Sequence, residues 1–401
     1  MRRAYFYLVI ASWIIGGCGE EATGDSVAAD IDLLPEWKLV KEQRIGRAND
    51  PDTGFTRVGA IAEDRHGSVY VLDAAERQVR VFGADGRMIR RIGRAGAGPG
   101  EFDLPVEIDV IGDTLSVFDM GSRRITLFST GGDVLGVVPT KGVPIKVGDS
   151  APVSVAPRRL RSDGKFNSTV RIASRHGALP DSLLVPELLF NTRGEVTDTI
   201  RWRMFYPDKW PEIPLRNNGT VSLTNIPDRG APLFLAGERR RVVVERKPAQ
   251  SRGPDYIRLL LYRENDSTEH RFRYRPNRGI KRKAVVSGIV QSSGLLTRGG
   301  MSASEARQTV EKLVSVPEYQ PPVSRVMLGA DQSIWLQREQ WTRDNTAMVE
   351  HWVVLDMAAN TMARVILPER SRLRWASLSH IWVVEADELG IPYVVRYRLA
   401  S

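Results

Sequence analysis

The sequence predicts an all-β fold, a six-bladed β-propeller whose blades are four-stranded antiparallel meanders. Three observations carry that expectation. The stretch RIGRANDPDTGF (Arg44 to Phe55) recurs without a gap as RIGRAGAGPGEF (Arg91 to Phe102), an offset of 47. Val69-Tyr70-Val71-Leu72-Asp73 recurs as Leu115-Ser116-Val117-Phe118-Asp119 at an offset of 46, and Arg77, Val81-Phe82 and Gly86 recur as Arg123, Leu127-Phe128 and Gly132. The triplets Ile334-Trp335-Leu336 and Ile381-Trp382-Val383 near the end of the chain are again 47 apart. Strand-like alternation repeated at that interval is the pattern of propeller blades.

The first residues stand apart from the repeat. Arg2 and Arg3 precede an apolar run from Ala4 to Ile15, which is too short for a comfortable transmembrane helix and has the layout of a signal peptide over residues 1–17. The run ends in Ile15-Gly16-Gly17-Cys18, which resembles a bacterial lipobox. Cys18 is the single cysteine of the chain, so it falls where acylation chemistry needs a thiol and leaves no stray one in an oxidising compartment. The resemblance implies lipid attachment at Cys18. At roughly 0.8 kcal/mol per buried CH₂, two or more acyl chains anchor stably. Residues 18–33 are small, polar and acidic, a composition expected of a flexible tether. The expected location is outside the cytoplasm, anchored to a bacterial membrane (the outer membrane or periplasm in a Gram-negative cell).

The net charge is +9. A basic exported protein meets anionic lipid, glycan or envelope polymer, and export argues against nucleic acid as a partner.

Along residues 34–401 the elements follow in order. Blades one and two occupy the clear repeat from Phe55. Asp64-Arg65-His66-Gly67, Ala84-Asp85-Gly86 and Ser129-Thr130-Gly131-Gly132 supply turn chemistry between their strands. Val153 to Trp202 is expected to form blade three, and Thr220 to Tyr274 blade four. Ser302 to Arg307, followed by Val310, Leu313 and Val314, has the spacing of a capped amphipathic helix, so a helical insertion is expected at about 278–317. Arg44 to Phe55 precedes the first blade and has no blade of its own. Leu39 to Gly46 is therefore expected to complete the last blade beside Trp375 to Leu399, closing the ring and removing its sheet edges.

The run RVFGADGRMIRRIGRAGAGPGEFDLP resembles the six-bladed propellers related to NHL repeats, and more narrowly a group of bacterial six-bladed propeller lipoproteins with no characterised activity. EYQPPVSRVMLGADQSIWL and DELGIPYVVRYRL share the style of that group. The resemblance implies the fold. It implies no chemistry, because propellers host many functions.

Two readings of the glycine-rich stretch compete: a phosphate-cradling loop, or the outer strand of one blade leaving for the next. Its recurrence favours the second. Asp73 and Asp119, each followed four residues on by an arginine (Arg77, Arg123), would cap turns and pair across them, or else join a ring of acids that holds Ca²⁺ as in six-bladed lactonases. Recurrence again favours the structural role. The histidines, His66, His176, His270, His351 and His380, show no metal-ligand spacing, and no nucleophile motif is present. No catalytic residue, metal ligand or cofactor is expected from the sequence. The densest basic segment supplies the candidate contact with an anionic surface: Arg271, Arg273, Arg275, Arg278, Lys281, Arg282 and Lys283. Strand alternation sets Arg271, Arg273 and Arg275 opposite Phe272 and Tyr274, so the arginines also suit the guarding of a strand edge. The expected function is a binding or scaffolding module for a protein or envelope polymer. The alternative is a metal-dependent hydrolase or lyase of the lactonase type, acting in the central channel.

Overall fold

The computed structural model describes residues 29–48, 50, 52–145, 153–172, 182–206, 212–215, 220–222, 230–237, 240–251, 253–263, 266–276, 279–292, 294, 296, 300–341 and 348–401. The segment expected to be a signal peptide, residues 1–17, and Cys18 lie outside the described residues.

Six antiparallel sheets form the blades of a propeller. Blade 1 consists of Val58–Glu63, Val69–Asp73, Gln78–Phe82 and Met88–Ile92. Blade 2 consists of Pro105–Ile111, Thr114–Asp119, Arg124–Ser129 and Val134–Pro139. The repeated segment Val69–Asp73 is the second strand of its blade and is buried throughout. Such a strand packs against a neighbouring blade on each face, which explains its unbroken apolar run. Blade 3 runs from Val153–Leu160 to Val196–Phe205, with Val143–Ile145 added beside its first strand. Blade 4 runs from Leu233–Ala236 to Asp266–Tyr274, and blade 5 from Arg325–Leu328 to Thr361–Ile366.

Blade 6 contains Ser371–Ala376, His380–Ala386 and Pro392–Ala400, and takes its fourth strand from Lys38–Ile45. Lys38 pairs with Ala400 and Ile45 with Val394. The ring is thus closed by the two ends of the domain, as the orphan repeat unit predicts.

The N-terminal segment does more than close blade 6. Ala29–Asp30 adds a fifth, parallel strand to the outer edge of blade 4, opposite Phe272 and Arg273. Ile31 is fully buried beside it. Glu36 then bridges Arg364 on the outer strand of blade 5, with Trp37 N–H donating to the Arg364 carbonyl and Arg364 N–H to that of Pro35. Residues 29–33 are therefore docked rather than part of a flexible tether. Ile31 supplies the apolar anchor, and Asp30 and Asp32 pair with Arg273 and Arg338.

Two further departures concern the insertion. Thr220 does not begin blade 4. Thr220–Ser222 pairs with Glu212–Pro214 in a separate hairpin, whose Ile213 and Val221 pack on two helices, Arg282–Ser292 and Ala303–Leu313. The second helix carries the expected cap: Ser302 Oγ accepts from Glu305 N–H, and Glu305 Oε2 from Ser302 N–H. Its Ala306 and Val310 are buried, whereas Leu313 is exposed. The first helix lacks a comparable cap signal and has adjacent valines, a poor helix pattern that its packing overrides.

The glycine-rich stretch is a blade-to-blade turn. Gly93 has φ +79°, and a Cβ there would lie 2.1 Å from Phe102, so the position needs glycine. Phe102 meets Phe128 edge to face at 5.9 Å, and its counterpart Phe55 meets Phe82 the same way at the same distance. The loop offers no anion cradle. Glu101 accepts from Gly98 N–H and Arg94, while Arg124 takes the carbonyls of Ala97, Gly98 and Glu101.

Candidate functional site

Apolar clusters fill five of the six seams between blades: 6–1, 1–2, 2–3, 4–5 and 5–6. The seam between blades 3 and 4 differs. On blade 3, a small cluster of Val153, Leu183 and Val185 with Phe205 stays within its own blade. Beyond it opens a cleft of about 710 Å³, within the usual range for small-molecule sites.

Blade 3 supplies one wall through Arg201, Arg203 and Phe205 on its outer strand and Asn167 and Thr169 further in. Blade 4 supplies the other through Phe234, Val243, Glu245, Leu260 and Tyr262. Strand alternation explains the second wall. Val242, Val244, Leu259 and Leu261 turn toward blade 5 and are buried in its seam, whereas Val243, Leu260 and Tyr262 face the cleft and stay partly exposed. Arg158, Arg159 and Glu107 carry the lining toward the first strands of blades 3 and 2.

Charge, rather than apolar packing, joins the seam. Glu187, 1% exposed, accepts from Arg241 of blade 4 at 2.5 Å and from Arg201 at 3.2 Å. Arg201 also lies over the Tyr262 ring at 4.3 Å. Asn167 donates to the Gly237 carbonyl across the seam. Toward the channel, Glu107 pairs with Arg158 at 2.5 Å and with Arg159 at 3.0 Å, and Arg159 reaches Asp109 at 3.0 Å. Burial opposes ionisation of Glu107, but Arg159 and Arg158 outweigh it and hold that carboxyl below its ordinary value. Burial, aided by the neighbouring Glu107 charge and opposed by Arg159, pushes Asp109 up.

A second polar cluster spans the seam between blades 6 and 1. His380 Nε2 lies 2.7 Å from Glu63 Oε2, which also accepts from Trp382 Nε1 at 2.7 Å, and His380 Nδ1 lies 2.9 Å from Ser379 Oγ. The order serine, histidine, carboxylate resembles a nucleophile triad, but the amides around the serine are occupied. Leu378 N–H donates to Asp331, and Ser379 and His380 N–H donate to Ser377 Oγ. A triad needs free donors where the oxyanion forms. This cluster fastens two blades together.

Asp73 and Asp119 are fully buried turn caps. Asp73 accepts from the amides of Thr56, Arg57, Ala75 and Glu76, and Asp119 from those of Asp103, Leu104, Gly121 and Ser122. The expected pairing with Arg77 and Arg123 is not found. Both arginines have positive φ in the turn, and the cation beside Asp73 is Arg80 at 3.5 Å. Among the described residues no group of three His, Cys, Asp or Glu is placed to hold a metal ion. Asp163 accepts from Arg161 in its own turn.

The basic strip lies on the outer strand of blade 4, away from the cleft. Phe272 and Tyr274 turn inward and the arginines outward, as alternation predicts. Arg271 pairs with Glu269 at 2.7 Å, Arg273 with Asp30 at 3.2 Å, and Arg275 N–H donates to Asp32. Arg278 lies outside the described residues. Lys281, Arg282 and Lys283 are exposed around the start of the first helix, where Arg282 donates to the Glu311 carbonyl. The docked N-terminal residues thus supply carboxylates to part of the strip.

Sequence reasoning missed the cleft. One signal was available: Glu187 interrupts the otherwise apolar strand LLVPELLF, and a carboxylate at an inward position needs a cation opposite.

Comparison with known proteins agrees with the architecture. The family model DUF5128, described as a 6-bladed beta-propeller, matches residues 53–140. Similar solved structures include a protein of Bacteroides fragilis, with 13% identity over 94% of this chain and 98% of that one and a TM-score of 0.46. A DUF4221 member from Bacteroides vulgatus shows 12% identity over 91% and 98%, with a TM-score of 0.49. Virginiamycin B lyase from Staphylococcus aureus shows 10% identity over 90% and 99%, with a TM-score of 0.36. These are likenesses of fold. No curated protein matches the sequence.

Proposed function

We propose that this six-bladed propeller is a binding module, exported and held at a bacterial membrane by lipid on Cys18, which recognises a protein or envelope component. The observation that supports binding over turnover is the pairing of the carboxylates in and beside the cleft. Glu187 is fixed between Arg201 and Arg241, and Glu107 is held ionised by Arg158 and Arg159. Asp109, the carboxyl pushed the other way, is tied to Arg159. General acid–base chemistry uses a group free to exchange its proton near the working pH. Recognition uses a fixed, charged surface with apolar walls, which is what these residues build.

The basic strip plays a subsidiary part in this reading. Lys281 and Lys283, with the outward arginines of blade 4, orient the domain against an anionic surface through long-range attraction that salt screens.

The test is retention of envelope components. Full-length protein carrying Cys18→Ala is immobilised and exposed to detergent-solubilised bacterial envelope. A component retained by this protein and lost when Phe234 and Tyr262 are both replaced by alanine supports the reading. Retention indifferent to those changes places the binding surface elsewhere and removes the cleft from the function.

A further inference from the structure

We propose that the cleft between blades 3 and 4 binds an oxyanion, a carboxylate or phosphate, carried on an apolar body, with Arg203 taking the charge. This rests on the binding-module reading and names the class of ligand.

Arg203 is the cation of the cleft without an acid of its own. Arg201 shares Glu187, and Arg158 and Arg159 share Glu107. Arg203, which is partly buried, has no carboxylate within ion-pair distance among the described residues. Among the described residues, its one side-chain hydrogen bond is a long contact of 3.4 Å to the Met204 carbonyl. Its guanidinium lies 4.1 Å from the Phe234 ring centre and 5.8 Å from that of Phe205. Burial, opposed by the Glu187 charge and aided by Arg201, pulls its pKa below the ordinary arginine value. A partly desolvated cation with no acid paired to it is costly, and a bound anion reduces that cost. The planar fork suits the paired oxygens of a carboxylate or phosphate.

Local charge points the same way. Glu187 answers two arginines, Arg201 and Arg241, with one negative charge, and Glu245 is already paired with Arg258 at 2.6 Å. The region therefore holds a surplus of cations, which disfavours a positively charged ligand. The rest of the ligand meets Val243, Leu260, Tyr262 and Phe234, the partly exposed wall of blade 4. Those side chains offer apolar area and ring faces rather than a dense array of hydrogen-bonding groups, so a body rich in carbon fits them.

The experiment uses calorimetric titration of full-length protein with three probes sharing one apolar body: 2-naphthoate, 2-naphthyl phosphate and neutral 2-naphthamide. At least one anion is expected to bind tenfold or more tightly than the amide, and the two anions against each other report which head group is preferred. Arg203→Met should abolish the advantage of the anion while leaving the amide unchanged. Arg203→Lys should keep part of it, because charge remains without the fork. Near-UV circular dichroism checks each variant, and the wild-type comparison of anion with amide holds whether or not a variant folds. Equal affinity for anion and amide, no binding of either anion, or an advantage that survives Arg203→Met overturns the proposal. Loss of the ligand class with envelope retention intact leaves the binding module standing, whereas retention indifferent to Phe234 and Tyr262 removes both.

Discussion

Lys41 and Glu385, 344 positions apart in the chain, meet in a 3.0 Å ion pair on the sheet that closes the ring. Around them, Lys38–Ile45 runs antiparallel to Pro392–Ala400, and Ile45 is buried in the seam between blades 6 and 1. The exposed ion pair itself is worth little. The strand is worth much more, because it covers an edge and fills a core position. Deleting residues 34–46 should therefore cost on the order of 5 kcal/mol or more. Thermal unfolding of the truncated protein is the measurement, and an unchanged melting temperature would show that closure does not depend on this strand.

Gly93 and Gly112 separate two ways in which a glycine can be required. Both have positive φ, +79° and +58°, but a Cβ at Gly93 meets Phe102 at 2.1 Å, whereas one at Gly112 meets nothing within 4 Å. Gly112→Ala should cost about 1 kcal/mol from backbone strain. Gly93→Ala should cost roughly 2–4 kcal/mol, since the aromatic pair of Phe102 and Phe128 must also shift. Equal losses in chemical denaturation would mean that the ring yields freely.

Glu187→Gln should destabilise the protein by roughly 3–5 kcal/mol, the usual consequence of removing one partner from a buried ion pair. Two arginines lose their counter-charge at once. Adding Arg241→Met should recover part of the loss. A double variant no more stable than the single one would indicate that the seam is not held by this contact.

His351 sets a pH dependence. Burial first, then Arg364 and Arg338, push its pKa down to about 4. A depressed folded value means that the unfolded chain binds a proton more readily. The contribution is thus complete above the unfolded value near 6.5 and is lost as pH falls toward 4. Because the ring is only partly buried, its size is about 2 kcal/mol. Melting temperatures from pH 7 to pH 4 should fall less steeply in His351→Gln than in the wild type, and parallel curves would remove the assignment.

Cys18→Ala should abolish metabolic labelling with a fatty acid and release the protein from the detergent phase. None of the described helices is long and apolar enough to cross a membrane. A variant that still carries label would refute lipidation at this residue.

The parts of the fold legible in sequence are those that repeat. The 46- and 47-residue offsets locate blades 1, 2, 5 and 6, and the orphan unit at Arg44 identifies the closing strand. The Ser302 cap is legible because a hydroxyl and a carboxylate three residues apart form a local motif. Blade 4 begins at Leu233 rather than Thr220 because the hairpin of Ile213 and Val221 finds its apolar partners in a helical segment far along the chain. The cleft was less accessible still. Glu187, Arg201, Arg203 and Arg241 sit on three strands of two blades, so only tertiary structure shows that one acid must serve two arginines while a third has none. Ala29–Asp30 is too short for any period, and its seating depends on Ile31 and the arginines of blade 4.

The route of residues 29–45 around the rim has a mechanical consequence. A pull applied at the N-terminus does not load the closing strand first. Force reaches the short parallel pairing on blade 4, then the Glu36–Arg364 bridge on blade 5, and only afterwards the eight-residue strand on blade 6. The early contacts are short, so they can peel away while the ring stays shut, and the rim yields in stages before the last blade opens.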